Sequence, residues 1–91
     1  MQLLALHMNR QKRFVYILQS QSHPDRYYTG LTSDVLRRLE DHNRGACSHT
    51  VNGQPWRVIV AIEFAREERA IAFERYLKSG SGSAFAVRHF R

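Results

Sequence analysis

Residues 13–20, RFVYILQS, carry five consecutive apolar side chains, and their alternation constrains the fold more than any other stretch. On an extended backbone Phe14, Tyr16 and Leu18 point to one side while Val15 and Ile17 point to the other. A polar connection follows, SQSHPDR, whose Pro-Asp pair is a turn signal. RYYTGL then reads as a second short strand, so residues 13–31 are expected to form an antiparallel hairpin. Tyr27 and Tyr28 are neighbours on that strand and must face opposite sides of it.

The remaining elements follow from their punctuation. Gly30 precedes a helix start at which Thr32 or Ser33 is expected to cap and Asp34 to complement the positive end. DVLRRLEDHN is the helix, with a stop expected between Asn43 and Gly45. GACSHTVNGQPW is a linker or one poorly formed helical turn. WRVIVAIEF is a third strand, apolar enough to be expected at the sheet centre. REERAIAFERYLK is a second strong helix, SGSGS a stop, and AFAVRHFR a short basic helix or cap. The layout predicts a small α+β domain, a three-stranded antiparallel or mixed sheet flanked by helices in the order β-β-α-α-β-α-α. Residues 12–91 are expected to form this single domain and residues 1–11 a flexible arm, with Met8 an alternative start.

Charge narrows the function. Fourteen Lys and Arg against eight Asp and Glu leave a net +6, and Arg predominates over Lys, which favours a polyanionic partner gripped through phosphate. Cys47 is the sole cysteine, so an internal disulfide is excluded and a reducing, cytoplasmic setting fits. The five histidines lack paired metal-ligand spacing, and Cys47-Ser48-His49 offers only a two-ligand fragment, so a zinc site is not expected. No segment reaches membrane-spanning length.

Two positions stand out as chemical. On a helical wheel Glu74 falls roughly 40° from Ala70 and roughly 60° from Ile71 and Leu77, which places a carboxylate on the apolar stripe. Burying an unpaired charge there is costly, so something must hold it there; a buried ion pair, for instance with Arg38, is the plain structural account. On the first helix Val35, Leu36 and Leu39 define the expected buried face. Arg38 and His42 lie on one flank of it, one turn apart, while Arg37 points away. By pattern alone Arg38 and His42 also suit a pair at the core edge, and the strand tyrosines suit packing.

Taken together, VYI, then YYTG, then an Arg-rich helix, then a helix with a mid-face Glu resemble the GIY-YIG nuclease superfamily. RYYTGLT, RRLEDHN, PWR and AFERYLKSGSGSAFAVRHF look like its small single-domain bacterial members, and the likeness covers residues 13–91. The resemblance implies a divalent-metal-dependent endonuclease acting on DNA with low sequence specificity, including single-stranded or branched DNA. The motif tyrosines match Tyr16 and Tyr28, the catalytic arginine Arg38, a histidine one turn later His42, and the metal-binding glutamate Glu74, which would take Mg²⁺ or Mn²⁺. Departures are Phe14-Val15-Tyr16 in place of Gly-Ile-Tyr and Tyr28-Thr29-Gly30 in the second motif. A polar residue expected after the glutamate helix has no single match among Lys78, Ser79 and Ser81.

Tyr28 is expected as base or water positioner, with Tyr16 and His42 assisting; the residue types leave the choice of base open. Arg37, His49, Thr50, Lys78 and Arg88, with Arg91, are expected around nucleic acid. DNA, single- or double-stranded, or RNA would be the partner, and the domain a monomer or weak dimer. A catalytically inactive nucleic-acid-binding module of the same fold is the alternative, and a basic interaction protein without nucleic acid a third.

Overall fold

The hairpin forms as the alternation requires. In the computed structural model, which describes residues 10–91, β1 (Phe14–Ser20) pairs antiparallel with β2 (Tyr27–Thr32), with Tyr16 opposite Gly30 and Leu18 opposite Tyr28. Met8 and most of the expected arm lie outside the described residues. β3 (Trp56–Glu63) pairs antiparallel with the other edge of β1, giving the order β2-β1-β3.

β1 is therefore the central strand, not β3. Val15, Tyr16, Ile17 and Leu18 are all essentially inaccessible, whereas Arg57, Ala61 and Glu63 of β3 are exposed. β3 is apolar, but its neighbours cover it on only one edge. The pairing slips between Ile17 and Leu18, which face Val60 and Val58. The extra residue, Ile59, packs with Val60 on the Val15–Ile17 side while Val58 packs on the Tyr16–Leu18 side.

The two faces of β1 anchor two cores. Val15 and Ile17 pack with Ala70 and Leu77 of α2 (Glu67–Leu77) and Ala86 of α3 (Gly80–His89), together with Tyr27, Phe73 and Phe85. Tyr16 and Leu18 pack with Trp56, Tyr28 and the helix α1 (Val35–Asn43) through Val35 and Leu39. The tyrosine pair of β2 is split between the cores, as the strand geometry demands.

Local chemistry sets the helix ends. Asp34 itself caps α1, its side chain accepting the Arg37 N–H at 3.1 Å. Thr32, expected as the cap, instead accepts the Asp34 N–H at 3.1 Å and braces it. At the other end Gly45 adopts a left-handed φ of +79°. Ala46 N–H returns to Asp41 O and Gly45 N–H to His42 O, closing the last turn. SGSGS does stop α2, but it also starts α3: the Ser79 side chain accepts the Gly82 N–H at 3.2 Å, so the closing helix is ten residues long. The expected poor helical turn is a 3₁₀ segment, Val51–Gly53.

α1 is rolled relative to expectation. Its buried stripe is Val35, Leu39 and His42, and Leu36 is 74% exposed. His42, completely buried, draws the stripe toward its own side because both ring nitrogens find partners inside, and Leu36 turns outward.

Candidate active site

β1 delivers Tyr16, β2 delivers Tyr28, and α1 delivers Arg38 and His42 to one face of the sheet. The Tyr16 hydroxyl lies 2.8 Å from His42 Nε2. The Tyr28 ring is 4.9 Å from the His42 ring and 6.3 Å from that of Tyr16. Gly30 permits this. It stands opposite Tyr16 in the hairpin, and a Cβ there would overlap the Tyr16 hydroxyl and ring. The aromatic ring thus lies across the glycine, which is the physical reason for a glycine two residues after Tyr28.

Arg38 is half-buried, within hydrogen-bonding reach of the Tyr16 hydroxyl and 3.5 Å from Asp41 Oδ2. Burial pushes the Tyr16 phenol up to about 12, although the Arg38 guanidinium pulls the other way. Arg38 thus fails to depress the ionisation of this tyrosine. Tyr16 is a neutral hydrogen-bonding group at ordinary pH. His42 is held below its usual range, first by burial and then by the Arg38 charge, so its imidazole is neutral near pH 7.

His42 is fixed from both sides. Its Nδ1 lies 2.7 Å from the Thr50 hydroxyl, which itself donates to Cys47 O at 3.3 Å. The indole N–H of Trp56 donates to Thr50 O at 2.8 Å, and the Asn43 carboxamide clasps the Trp56 backbone in both directions, at 2.6 and 3.0 Å. These bonds tie the 45–55 loop, α1 and β3 together behind the histidine.

Glu74 of α2 is placed at the same rim by way of Lys78. Its Oε2 lies 2.6 Å from Lys78 Nζ, and that ammonium sits 6.0 Å from the centroid of the Tyr28 ring. The ion-pair partner of the stripe carboxylate is Lys78, one turn on, and not Arg38, whose charge is taken by Asp41 and Tyr16. Glu74 is 19% exposed, so water and ions reach it.

This donor set suits a hard divalent cation held loosely. Among the described residues no three of His, Cys, Asp and Glu converge on a metal cage. Mg²⁺ is commonly held by one or two carboxylates, with water and substrate phosphate completing its shell. Glu74, a single accessible carboxylate, meets that description once Lys78 gives up the oxygen it occupies. Glu74 would hold such an ion.

The remaining candidates are distributed unevenly. Arg37 is exposed on α1. His49 is exposed and lines a groove of about 220 Å³ beside Tyr28, with Arg26, Asn52 and Trp56. Thr50 is 1% exposed, so its hydroxyl faces His42 and not a bound strand. Arg88 sits on α3, over the opposite sheet face, and Arg91 stacks on the Tyr27 ring at 4.3 Å on that same side. The structure does not bring Arg88 or Arg91 to the Tyr16–His42 cluster. Arg26 and Asn52, which line the groove beside Tyr28, were not among the expected contacts. Gly30 opposite Tyr16 was available from hairpin register.

The family model described as the GIY-YIG catalytic domain matches residues 12–86. The chain is 37% identical over 68 residues to a UPF0213 protein of Streptococcus pneumoniae, covering 74% of this chain and 67% of that one. It is 34% identical over 88 residues to the structure-specific endonuclease subunit SLX1 of Meyerozyma guilliermondii, covering 80% of this chain but 30% of that protein. Among solved structures it is similar to the UPF0213 protein of Bacillus halodurans, with a TM-score of 0.50 and 30% identity over 85% of this chain and 83% of that one.

Proposed function

The chain belongs to the GIY-YIG family, and from that premise we propose that it is a divalent-metal-dependent endonuclease hydrolysing DNA phosphodiester bonds with low sequence specificity, on single-stranded or branched DNA. One observation carries the reading. Tyr16, Tyr28, Arg38 and His42, drawn from three separate elements, meet on one sheet face, and Glu74 reaches the same rim through Lys78. The chain spans about a third of the SLX1 subunit it matches, so that protein's activity enters here only as support.

Hydrolysis needs a positioned water, charge stabilisation on phosphorus and a stable leaving oxygen. Arg38, half-exposed and oriented by Asp41 and Tyr16, holds a non-bridging phosphate oxygen as negative charge builds. Tyr28, half-buried at the rim, orients the attacking water; fully buried Tyr16 instead supports Arg38 and His42. The water oxygen bonds to phosphorus as the bond to the 3′ oxygen breaks. The water's proton passes through solvent at this open rim to the departing oxygen, which ends as a 3′ hydroxyl. Glu74 would hold Mg²⁺ or Mn²⁺, which would supply Lewis-acid stabilisation of the negative charge that builds in the reaction. Arg37, His49 and Lys78 surround this face and suit backbone contacts, which position a strand without reading its sequence.

Incubating the protein with labelled single-stranded, duplex and branched DNA, with Mg²⁺ and with EDTA, tests the reading. Nicks that appear only with Mg²⁺ are expected. Salt-dependent binding without cleavage under every metal condition would overturn it in favour of a non-catalytic binding module.

A further inference from the structure

Behind Arg38 a single line of hydrogen bonds runs from the Tyr16 hydroxyl through His42 and Thr50 to the carbonyl of Cys47, and the Arg38 guanidinium stands beside its Tyr16 end. Each interior member is buried, so each must satisfy its polar atoms within the line. The direction is set by the Tyr16 hydroxyl, whose acceptor among the described residues is His42 Nε2. At the far end the Thr50 hydroxyl donates to Cys47 O at 3.3 Å, beside the Thr50 N–H at 3.1 Å, leaving a lone pair for His42 Nδ1. A neutral imidazole carries one N–H, which then lies on Nδ1 and leaves Nε2 as an acceptor. Nε2 takes the Tyr16 proton, and the phenol oxygen turns its lone pairs to the Arg38 guanidinium.

The reverse arrangement fails at the Tyr16 end. If Thr50 donated to Nδ1, Cys47 O would keep the Thr50 N–H at 3.1 Å, but Nε2–H would point at the Tyr16 oxygen. The phenol proton would then have no acceptor, since among the described residues His42 Nε2 is the acceptor the Tyr16 hydroxyl meets. That proton would instead face the Arg38 cation. A buried donor left this way is unfavourable.

We propose that Thr50 is a positioning residue: by anchoring to the Cys47 carbonyl it locks His42 as the Nδ1–H tautomer, and so makes the Tyr16 oxygen an acceptor that holds Arg38. The line therefore acts as a polarity device built from a loop residue that touches no substrate. The titratable and charged groups around His42 are Tyr16 from β1, Tyr28 from β2, Arg38 and Asp41 from α1, and Cys47 from the loop. The catalytic consequence rests on the nuclease reading; the tautomer does not.

The test is long-range ¹H–¹⁵N correlation NMR on the uniformly labelled full chain at pH 8, without DNA or metal, with His42 assigned by its loss in His42→Gln. A protonated Nδ1 and bare Nε2 are expected in the natural protein and in Thr50→Ser. In Tyr16→Phe, which removes the demand for an acceptor at Nε2 and leaves Thr50 to decide, the proton is expected to stay on Nδ1. Single-turnover cleavage should fall at least tenfold in Thr50→Val and stay within threefold in Thr50→Ser. An Nε2–H tautomer in the natural protein, or in folded Tyr16→Phe, overturns the proposal. The first of these needs no variant to fold. Absence of cleavage in the natural protein would strike the nuclease reading alone and leave the tautomer result to decide this one.

Discussion

Replacing Gly30 by alanine isolates the contact on which the cluster is assembled. The backbone at Gly30 is outside the left-handed region, so alanine meets no conformational penalty there. Its methyl group would instead collide with the hydroxyl and ring edge of Tyr16. That ring cannot swing aside: it is 1% exposed and its hydroxyl is bonded to His42. Overpacking a filled core costs about 1–3 kcal/mol, and displacing the Tyr16–His42 bond about 1 kcal/mol more. The expected loss is about 2–4 kcal/mol, or a fall in Tm of about 10–30 °C for a domain of this size. Urea unfolding followed by fluorescence measures it through Trp56, the single tryptophan and a buried one. The decisive measurement is a double-mutant cycle with Tyr16→Leu. In that background Gly30→Ala should cost less than about 0.5 kcal/mol, giving a coupling above about 1.5 kcal/mol. A coupling near zero would refute the argument that the glycine exists to receive the ring.

Two further predictions concern protons. Since Tyr16 is raised from about 10 when unfolded to about 12 when folded, its contribution to stability is complete below pH 10 and is lost as pH rises from there to 12. Ultraviolet titration of the folded protein, compared with Tyr16→Phe, should place the Tyr16 step above pH 11; a Tyr16 step complete below pH 11 would contradict its burial. His42 is depressed, so its contribution is complete above its unfolded value of about 6.5 and declines as pH falls from there toward its folded value. Urea midpoints measured from pH 7.5 down to 5 should fall, with a shallower slope in His42→Asn, and equal slopes would contradict the assignment.

What the sequence made legible was local. β1, β2, α1 and α2 follow from periodicity and punctuation within windows of a dozen residues, and the split of Tyr27 from Tyr28 follows from strand geometry alone. Sheet order is not local. β3 reads as the more central strand by hydropathy, yet β1 takes the middle because it pairs on both edges. The roll of α1 escaped the helical wheel for a related reason. A wheel ranks Leu36 above His42, whereas burial followed the hydrogen bonds that Tyr16 and Thr50 supply to His42 from outside the helix. Thr50 lay in a stretch without periodicity, and nothing in its neighbours points to a histidine eight residues earlier. The partner of Glu74 was the opposite case. Lys78 stands one turn away at i+4 on the same helix, a spacing that sequence exposes directly.

The claim at the centre of this account is that Glu74 and Arg38 serve one reaction, Arg38 beside Tyr16 and Glu74 at the Tyr28 rim by way of Lys78. Single-turnover DNA cleavage in Mg²⁺ by Glu74→Ala and Arg38→Ala, each checked for an unchanged urea midpoint within about 1 kcal/mol, tests it most directly. Both side chains are partly exposed, so both variants should fold. The expected result is a rate at least about 100-fold below the natural protein in each variant. Cleavage by folded Glu74→Ala at the natural rate would contradict the account.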